Sequence, residues 1–306
     1  MNSMRHIEVF RAVMLTRSMT GAADMLFVSQ SAVSKIVREF EDELGFPLFT
    51  RGKGGANPTP EAVALYAEVE RAFVGLDRIS RTAERIRSRR HGQLRIVAMA
   101  ALTTVFLPRV IRCFNEQCPE VSISLETYNS AEVVGLVATG LFDIGYAMTP
   151  IDTHQVVTSE VMHLDCVCLL PAGHRLAGKR VVRAKDFEGE RFVSLANGNT
   201  TRLKTDALFK NENVEREMVL DASWSASVSG LVAEGLGVAI VEPFSAELAR
   251  RAGCQVRKLA QKIEFSFAEL RPPHASQNEL ANIFGQHFRR ELLTVAGAAA
   301  RRRAKG

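Results

Sequence analysis

Five polar or basic side chains share one face of the segment 30–38 and have the chemistry to contact nucleic acid. They are Gln30, Ser31, Ser34, Lys35 and Arg38. Gln and Ser side chains can hydrogen-bond to base edges, whereas Lys and Arg reach phosphates or guanine. The opposite face carries Val33, Ile36, Val37, Phe40 and Leu44, whose spacing is that of a helix with one buried side. A solvated face without a partner is the alternative, because any surface helix carries polar residues.

The elements around this segment predict a winged helix-turn-helix. Residues 4–16 carry an apolar stripe of helical period, and 21–26 form a second, short helix with paired alanines. Ser29 is a good N-cap for the third helix and also lies at the expected interface. Two helices, a tight turn and a polar-basic third helix describe a helix-turn-helix. In the basic, Gly-rich stretch that follows, Arg51 and Lys53 are placed on a wing to meet the DNA backbone or minor groove.

Residues 60–90 predict one long helix whose apolar positions form an unbroken heptad seam. The spacing alternates between three and four residues over about four heptads, which is typical of helices that pair. The seam residues expected to hold a dimer together are Leu65, Val69, Leu76, Ile79 and Ile86. The alternative is that this helix packs on the core of its own domain, since a stripe of period 3.6 drifts little over this length.

Beyond residue 90, strands alternate with helices, and the pattern restarts near residue 162. Such alternation predicts parallel α/β sheets. We therefore predict an α/β protein with an N-terminal all-α winged helix-turn-helix (1–59), a linker helix (60–90) and a two-lobed domain like a periplasmic binding protein (91–300). The first lobe is expected over about 91–161 and 266–300, and the second over about 162–265. A basic tail, 301–306, follows.

Polar segments follow three of the predicted strands, at 100–104, 127–130 and 196–201. Ligands of α/β lobes bind beyond the carboxyl ends of strands and against helix N-termini. Hydroxyls and backbone N–H groups from both lobes could therefore hold a carboxylate. The alternative is that these Thr, Ser and Asn side chains only cap helices.

The N-terminal residues resemble the signature of LysR-type transcriptional regulators. The match is dense and ordered over about the first 65 residues, with departures at Pro58 and Ala62. It is carried by Ala22-Ala23, Leu26, Ser29-Gln30-Ser31-Ala32-Val33-Ser34, Glu41, Leu44-Gly45, Leu48-Phe49, Arg51 and Pro58-Thr59. Within the family the chain is most similar to the lysine-biosynthesis and opine-catabolism regulators.

This resemblance implies a transcriptional regulator that binds a promoter operator as a homodimer or homotetramer. It also implies a small-molecule effector, an amino acid or an amino-acid conjugate, held by five residues. These are Thr103, Thr104, Ser130, Asn199 and Thr200. For such an effector, an acid such as Glu126, Asp221 or Glu242 is expected to meet the amine. Two other classes stay open from the residues themselves: a cytoplasmic solute-binding module, and a constitutive DNA-binding protein without an effector.

Several other classes find no support in the sequence. The seven histidines are scattered, and none has the spacing of a zinc pair on a helix. No nucleophile elbow or phosphate-binding loop occurs, and Gly235-Leu236-Gly237 follows a predicted helix, the reverse of the dinucleotide-binding order. We therefore expect no enzyme, cofactor or metal. The five cysteines are expected to be small buried residues, with a redox sensor as the alternative.

Charge and hydropathy complete these expectations. The chain has 306 residues and a net charge of +5, and the basic excess lies in the first 90 residues and the tail. No apolar run reaches the length of a membrane span, and no signal peptide precedes the first helix. A cytoplasmic protein without a membrane partner is expected.

Overall fold

The computed structural model describes residues 4–52, 55–87, 92–273 and 278–300, and the chain divides into two compact units, Met1–Glu84 and Arg85–Gly306. The first unit comprises three helices, a two-stranded antiparallel wing and most of a long helix. In chain order these are α1 (Met4–Thr16), α2 (Met19–Leu26), α3 (Gln30–Leu44), β1 (Phe49–Gly52), β2 (Gly55–Pro58) and α4 (Pro60–Arg87). The basic tail lies outside the described residues.

Side-chain caps define where the helices of the first unit begin. The Ser18 hydroxyl accepts the Gly21 N–H at the start of α2, and the Ser29 hydroxyl accepts the Ala32 N–H at the start of α3. Both satisfy N–H groups that have no partner within the helix. Gly45 ends α3 in the left-handed conformation, with φ of 78°, which costs glycine little. The predicted helix-turn-helix is confirmed.

The second unit alternates strands and helices as the sequence predicts. In chain order it contains β3 (Gln93–Ala98), α5 (Ala100–Thr103), α6 (Phe106–Gln117), β4 (Ser122–Thr127), α7 (Ser130–Ala138), β5 (Ile144–Met148), β6 (Val157–Asp165), β7 (Val167–Leu170), β8 (Val181–Val182), β9 (Arg191–Leu195), α8 (Thr200–Asn211), β10 (Glu217–Ala222), α9 (Ser225–Ala233), β11 (Ala239–Val241), α10 (Pro243–Arg251), β12 (Gln255–Leu259), β13 (Glu264–Arg271) and α11 (Glu279–Ala300).

Two sheets form two lobes, so the predicted fold class is confirmed. The first sheet has the order β4-β3-β5-β13-β6, and the second has the order β11-β7-β12-β8. The parallel pair β9–β10 joins the second lobe through a bridge between Phe192 and Val238. A continuous apolar core runs through both lobes, and the rings of Phe106, Phe244 and Phe288 are among its fully buried members.

The structure corrects three details of the predicted fold. The first sheet is mixed rather than parallel, because β13 runs antiparallel to both β5 and β6. The crossing strand β6 stays in the first sheet up to Asp165, so the second lobe begins near Cys166 and ends near Ile263. Five elements were not predicted: the helices α5 and α10, and the strands β6, β8 and β12. Among the described residues, no helix is long and apolar enough to cross a membrane.

Candidate DNA-binding surface and effector cleft

The polar face of α3 is exposed, as the sequence predicts. Gln30, Ser31, Lys35 and Arg38 are exposed and Ser34 is half-buried, whereas Val33, Val37 and Phe40 on the opposite face are buried. The Gln30 amide donates to the Ser34 hydroxyl over 2.9 Å, which holds two of these side chains together on one turn. The exposed hydroxyls of Ser29 and Ser31 are 3.0 Å apart. The start of α3 therefore presents a row of hydrogen-bonding groups to solvent.

Acidic side chains gather toward the other end of α3. Lys35 Nζ lies 3.7 Å from Glu39 while its side chain stays 78% exposed, and His6 Nδ1 lies 3.2 Å from Glu43. Exposed pairs of this kind are worth at most about 1 kcal/mol, so Lys35 is able to leave Glu39 for a phosphate. The acidic side chains of α3 therefore lie near its C-terminus, away from the hydrogen-bonding side chains at its N-terminus.

Glu41 connects α3 to the wing, a role that the sequence reasoning did not assign to it. Its carboxylate Oε1 accepts the Leu48 N–H over 2.6 Å and the Phe49 N–H over 3.1 Å. Bonds between backbone N–H groups and a carboxylate are stronger than neutral ones. This contact positions the start of β1 against α3. Arg51 lies in β1 opposite Ala56, and Lys53 falls outside the described residues.

The heptad seam of α4 divides into two parts. Val69 is 5% exposed and packs with Leu65 against Phe10, Phe40 and Leu48 in the core of the first unit. Leu76 and Ile79 are 38% and 67% exposed. The first part of the seam therefore follows the alternative in which α4 packs on its own domain. Of the predicted pairing residues, Leu76 and Ile79 therefore remain available to a second helix. The side chain of Ile86, further along the seam, lies outside the described structure.

The three predicted polar clusters lie at the carboxyl ends of strands, where the short helices begin. Thr103 and Thr104 follow β3, and both hydroxyls donate to the Ala100 carbonyl, over 3.3 and 3.4 Å. Ser130 follows β4, and its hydroxyl accepts the Met148 N–H over 2.9 Å. Because β3 and β4 are parallel neighbours, both clusters lie at one edge of the first sheet.

The second lobe contributes Asn199 and Thr200, after β9. The Asn199 side-chain oxygen accepts the N–H groups of Thr201 and Arg202 and so caps α8, as the helix-capping alternative expects. The amide N–H groups of the Asn199 side chain can donate hydrogen bonds to a ligand. Thr200 is half-buried at the head of the helix. Across the cleft, α5 of the first lobe contacts α9 and α10 of the second, which brings the β3 end of one lobe to the other.

A buried carboxylate, Glu242, lies between the first turns of α9 and α10. It is 2% exposed and accepts hydrogen bonds from the hydroxyls of Ser225, over 3.0 Å, and of Ser245. It also caps α10 by accepting the Ser245 N–H over 3.2 Å. Burial raises the pKa of Glu242 above its ordinary value of 4.5, although these hydrogen bonds oppose the rise.

This geometry overturns one expectation about the acids of the cleft. Glu242 is enclosed and engaged by two serines, so it does not present its carboxylate to an amine. Glu126 and Asp221 are exposed at the ends of β4 and β10, and Glu126 accepts the Tyr128 hydroxyl over 3.2 Å. These two acids remain able to meet a cationic ligand group. The sequence reasoning did not find the cluster of Ser225, Glu242 and Ser245, because its members become neighbours only in the folded lobe.

The cysteines are buried or partly buried. Cys113, Cys166, Cys168 and Cys254 are buried and Cys118 is partly buried. Burial raises the pKa of the Cys166 and Cys168 thiols well above the ordinary value, which disfavours their reactive thiolate forms. Within the described ranges, no group of three His, Cys, Asp or Glu side chains is placed to hold a metal ion.

Two family descriptions match most of the chain. Residues 4–63 match the bacterial regulatory helix-turn-helix protein, lysR family, and residues 87–293 match the LysR substrate binding domain. The first match covers the helix-turn-helix, the wing and the start of α4. The second covers both lobes.

Characterised proteins are similar over nearly the whole chain. The transcriptional activator protein LysR of Escherichia coli (strain K12) is 34% identical over 290 residues, which are 95% of this chain and 93% of that protein. The octopine catabolism/uptake operon regulatory protein OccR of Rhizobium meliloti is 34% identical over 286 residues, covering 94% and 95%. The crystal structure of CbnR, a LysR family transcriptional regulator, shares the fold with a TM-score of 0.72 at 17% identity, over 95% of this chain and 99% of that one.

The buried carboxylate gives a testable dependence of stability on pH. Between 4.5 and the raised pKa of folded Glu242, the folded state keeps a proton that the unfolded state has lost. The contribution of this group to stability therefore falls as pH rises through that window. Glu242→Gln removes the titration. The free energy of unfolding of the wild type minus that of the variant should decline as pH rises above 4.5, in urea titrations read by the fluorescence of the single tryptophan, Trp224.

Glu234→Gln, at an exposed position, corrects for the loss of one carboxylate. If the difference between wild type and Glu242→Gln stayed level with pH, the pKa of Glu242 would be the same in the folded and unfolded states, and if it rose, the fold would be stabilising the carboxylate form.

Proposed function

The chain belongs to the lysR family of bacterial regulatory helix-turn-helix proteins, and from this premise we propose that it controls transcription by binding an operator through the exposed face of α3. It is a DNA-binding transcriptional regulator with an effector-binding domain, not an enzyme. Regulators of this family act on DNA as oligomers. Family membership argues against a solute-binding module that does not bind DNA. The matched substrate-binding domain argues against a constitutive DNA-binding protein without an effector. We expect the protein to act in the cytoplasm, where the DNA is.

The observation that carries this proposal is the row of donors and acceptors at the start of α3. In a helix-turn-helix, the N-terminal residues of the recognition helix meet base edges in the major groove. Gln30 and the hydroxyls of Ser29, Ser31 and Ser34 are assigned to bases, since Gln pairs with adenine and Ser with several edges. Lys35 and Arg38 are assigned to phosphates or guanine, and Arg51 and Lys53 to the backbone beside the wing. Glu41 positions the wing relative to α3.

A triple substitution, Lys35→Ala, Arg38→Ala and Arg51→Ala, tests the DNA-binding surface. Each lost phosphate contact removes about one counterion from the salt dependence, so the slope of log K against log salt should shrink by about three. The affinity for the operator should fall at least about a hundredfold, in fluorescence anisotropy with the promoter fragment at several salt concentrations. Binding of the effector should be unchanged.

The control is a charge-matched triple at exposed positions of the second unit: Arg112→Ala, Lys210→Ala and Lys262→Ala. It should keep its affinity for the operator. Operator binding that survived the first triple would show that the interface lies elsewhere.

The exposed part of the α4 seam supports a proposal for how two copies meet. Leu76 and Ile79 expose apolar surface on a helix of 28 residues that begins in the first unit. Apolar side chains repeated at heptad positions are stabilised when a second helix covers them. We assign the pairing to Leu76, Ile79 and Ile86, while Leu65 and Val69 support the seam from inside the first unit. Two DNA-binding units held at one spacing suit an operator with two half-sites.

Replacing Leu76 and Ile79 together by glutamate should break this pairing. Two like charges on each facing helix oppose association. The sedimentation coefficient should therefore fall to that of an assembly with half as many subunits. The affinity for a two-site operator should also fall by two to four orders of magnitude, because the second half-site is no longer bound intramolecularly. Val63→Glu, at another exposed apolar position of α4, is the matched control. A monomer that retained full operator affinity would refute the role of the seam.

For the effector, we propose an amino acid or an amino-acid conjugate bound in the cleft between the lobes. Thr103, Thr104 and Ser130 from the first lobe and Asn199 and Thr200 from the second are the proposed ligand contacts. Their hydroxyl groups and the side-chain amide of Asn199 suit an α-carboxylate. The exposed Glu126 and Asp221 are the acids able to meet its amine. The similarity to the octopine catabolism/uptake operon regulatory protein supports this class.

Trp224 provides a direct measurement of this binding. It is the only tryptophan, 45% exposed, at the start of α9, the helix that contacts α5 of the other lobe. Titration with amino acids, diamino acids and opines should change its fluorescence for at least one ligand. Thr104→Val and Thr200→Val should each weaken that ligand about tenfold or more, because a hydrogen bond to a charged group is lost.

Thr158→Val, exposed on β6, is the matched control and should bind normally. The proposed class would be rejected if no ligand of the panel changed the fluorescence or raised the Tm. The proposed residues would be rejected if both cleft variants bound as well as the control.

A further inference from the structure

We propose that the second unit holds another ligand pocket, for a small carboxylate with an apolar group, between α6, α10 and α11. The pocket measures about 190 Å³. Since a water molecule occupies about 30 Å³ of liquid, this space suits a ligand of roughly six to ten non-hydrogen atoms. None of the five proposed effector residues lines it. The pocket is therefore a different site from the cleft at the strand ends, and the proposal does not rest on the class of the effector.

Aromatic and aliphatic side chains form the inner wall. The rings of Phe106 and Phe244 are 1% and 2% exposed, and their centroids are 4.8 Å apart. Val105 and Val295 extend this wall. A ligand must therefore place an apolar group against it, because a buried polar group would find no partner on the rings or valines. Ligand pockets in general combine such walls with a few polar groups that orient the ligand.

The rim carries more positive than negative charge. Glu247 is the common partner of three guanidinium groups: Arg109 at 3.2 Å, Arg251 at 3.8 Å, and Arg250. Arg109, Glu247 and Arg250 all line the pocket. Among the lining residues, two guanidinium groups thus meet one carboxylate, which leaves an excess of one positive charge at the rim. A second carboxylate, supplied by a ligand, would neutralise that excess and could form a bidentate pair with the guanidinium group of Arg250.

The two walls of the pocket belong to different lobes. α6 and α11 pack with the first sheet, whereas α10 packs with the second. A ligand in this pocket therefore touches both lobes at once. If the affinity of this ligand differs between two arrangements of the lobes, its binding shifts their populations. Binding of the ligand and of the cleft effector then change each other's affinity by the same factor.

Phenylacetate is a suitable probe, because it joins one ring to one carboxylate. Binding to the full-length protein is measured by isothermal titration calorimetry, and contact by saturation-transfer NMR. Arg250→Gln should weaken phenylacetate about tenfold or more, since it removes a charged hydrogen-bonding partner. Thr294→Phe places a ring at the mouth of the pocket and should abolish binding. Thr294→Val, at the same exposed position, should bind as the wild type does. Phenethylamine, with the same ring and a positive charge, should not bind.

The pocket is refuted if phenylacetate fails to bind the wild type at millimolar concentration. It is equally refuted if Arg250→Gln and Thr294→Phe both bind as well as Thr294→Val, since the probe would then occupy another site, such as the cleft. An unchanged Tm for the variants shows that they are folded, so a loss of binding in them reports on the pocket itself.

Discussion

The unpaired N–H groups at helix N-termini are the constraint on which both candidate sites depend. Each helix leaves its first N–H groups without an internal partner, and they need an acceptor. Ser29, Asn129, Asn199 and Glu242 supply one from their own side chains. The helices α5 and α9 start at Met99 and Trp224, which make no such side-chain bond. These two helices contact each other across the lobes, so the cleft is bordered by two helix starts whose N-cap side chains accept no N–H group.

The same requirement explains why Glu242 is tolerated inside the second lobe. A buried carboxylate costs several kcal/mol unless it receives hydrogen bonds. Here the Ser245 N–H at the start of α10 and the hydroxyls of Ser225 and Ser245 all point at it. Ser225 belongs to α9, so this one carboxylate ties together the first turns of two helices that face the other lobe. The cleft wall of the second lobe is thereby held by a buried polar group rather than by packing alone.

The spacing of nearby residues is sufficient to predict a helix that has one buried face or that begins at a single capping residue. The apolar period of α3 and the N-cap Ser29 predict a helix that begins at Gln30, where the structure has it. Elements defined by partners far along the chain were not found. Proline suits the first position of a helix, and Pro243 opens α10 there. The strand β12 exists because β7 and β8 pair with it, which no local pattern reveals.

The candidate sites follow the same division. The α3 face could be predicted because one helix carries all of it, whereas Glu41 acquires its role only when Leu48 and Phe49 fold back to it. The heptad seam of α4 illustrates the limit further. A period of 3.5 and one of 3.6 are indistinguishable over a few turns, so the sequence could not separate residues that face Phe10 from those that stay exposed.

Contacts between the lobes determine how much effector energy is needed to change their arrangement. The ion pair of Arg109 with Glu247 crosses from α6 to α10, and both side chains are about one-third exposed, so it contributes about 1 kcal/mol or less. The Lys204 ammonium, on α8, donates to the Glu264 carbonyl over 2.6 Å, another contact of modest net value. The rings of Phe106 and Phe244, tilted by 42° with centroids 4.8 Å apart, are almost completely buried. Polar contacts of this size do not lock one arrangement, so a ligand whose affinity differs by about a hundredfold between two arrangements outweighs them, since that difference is about 2.7 kcal/mol.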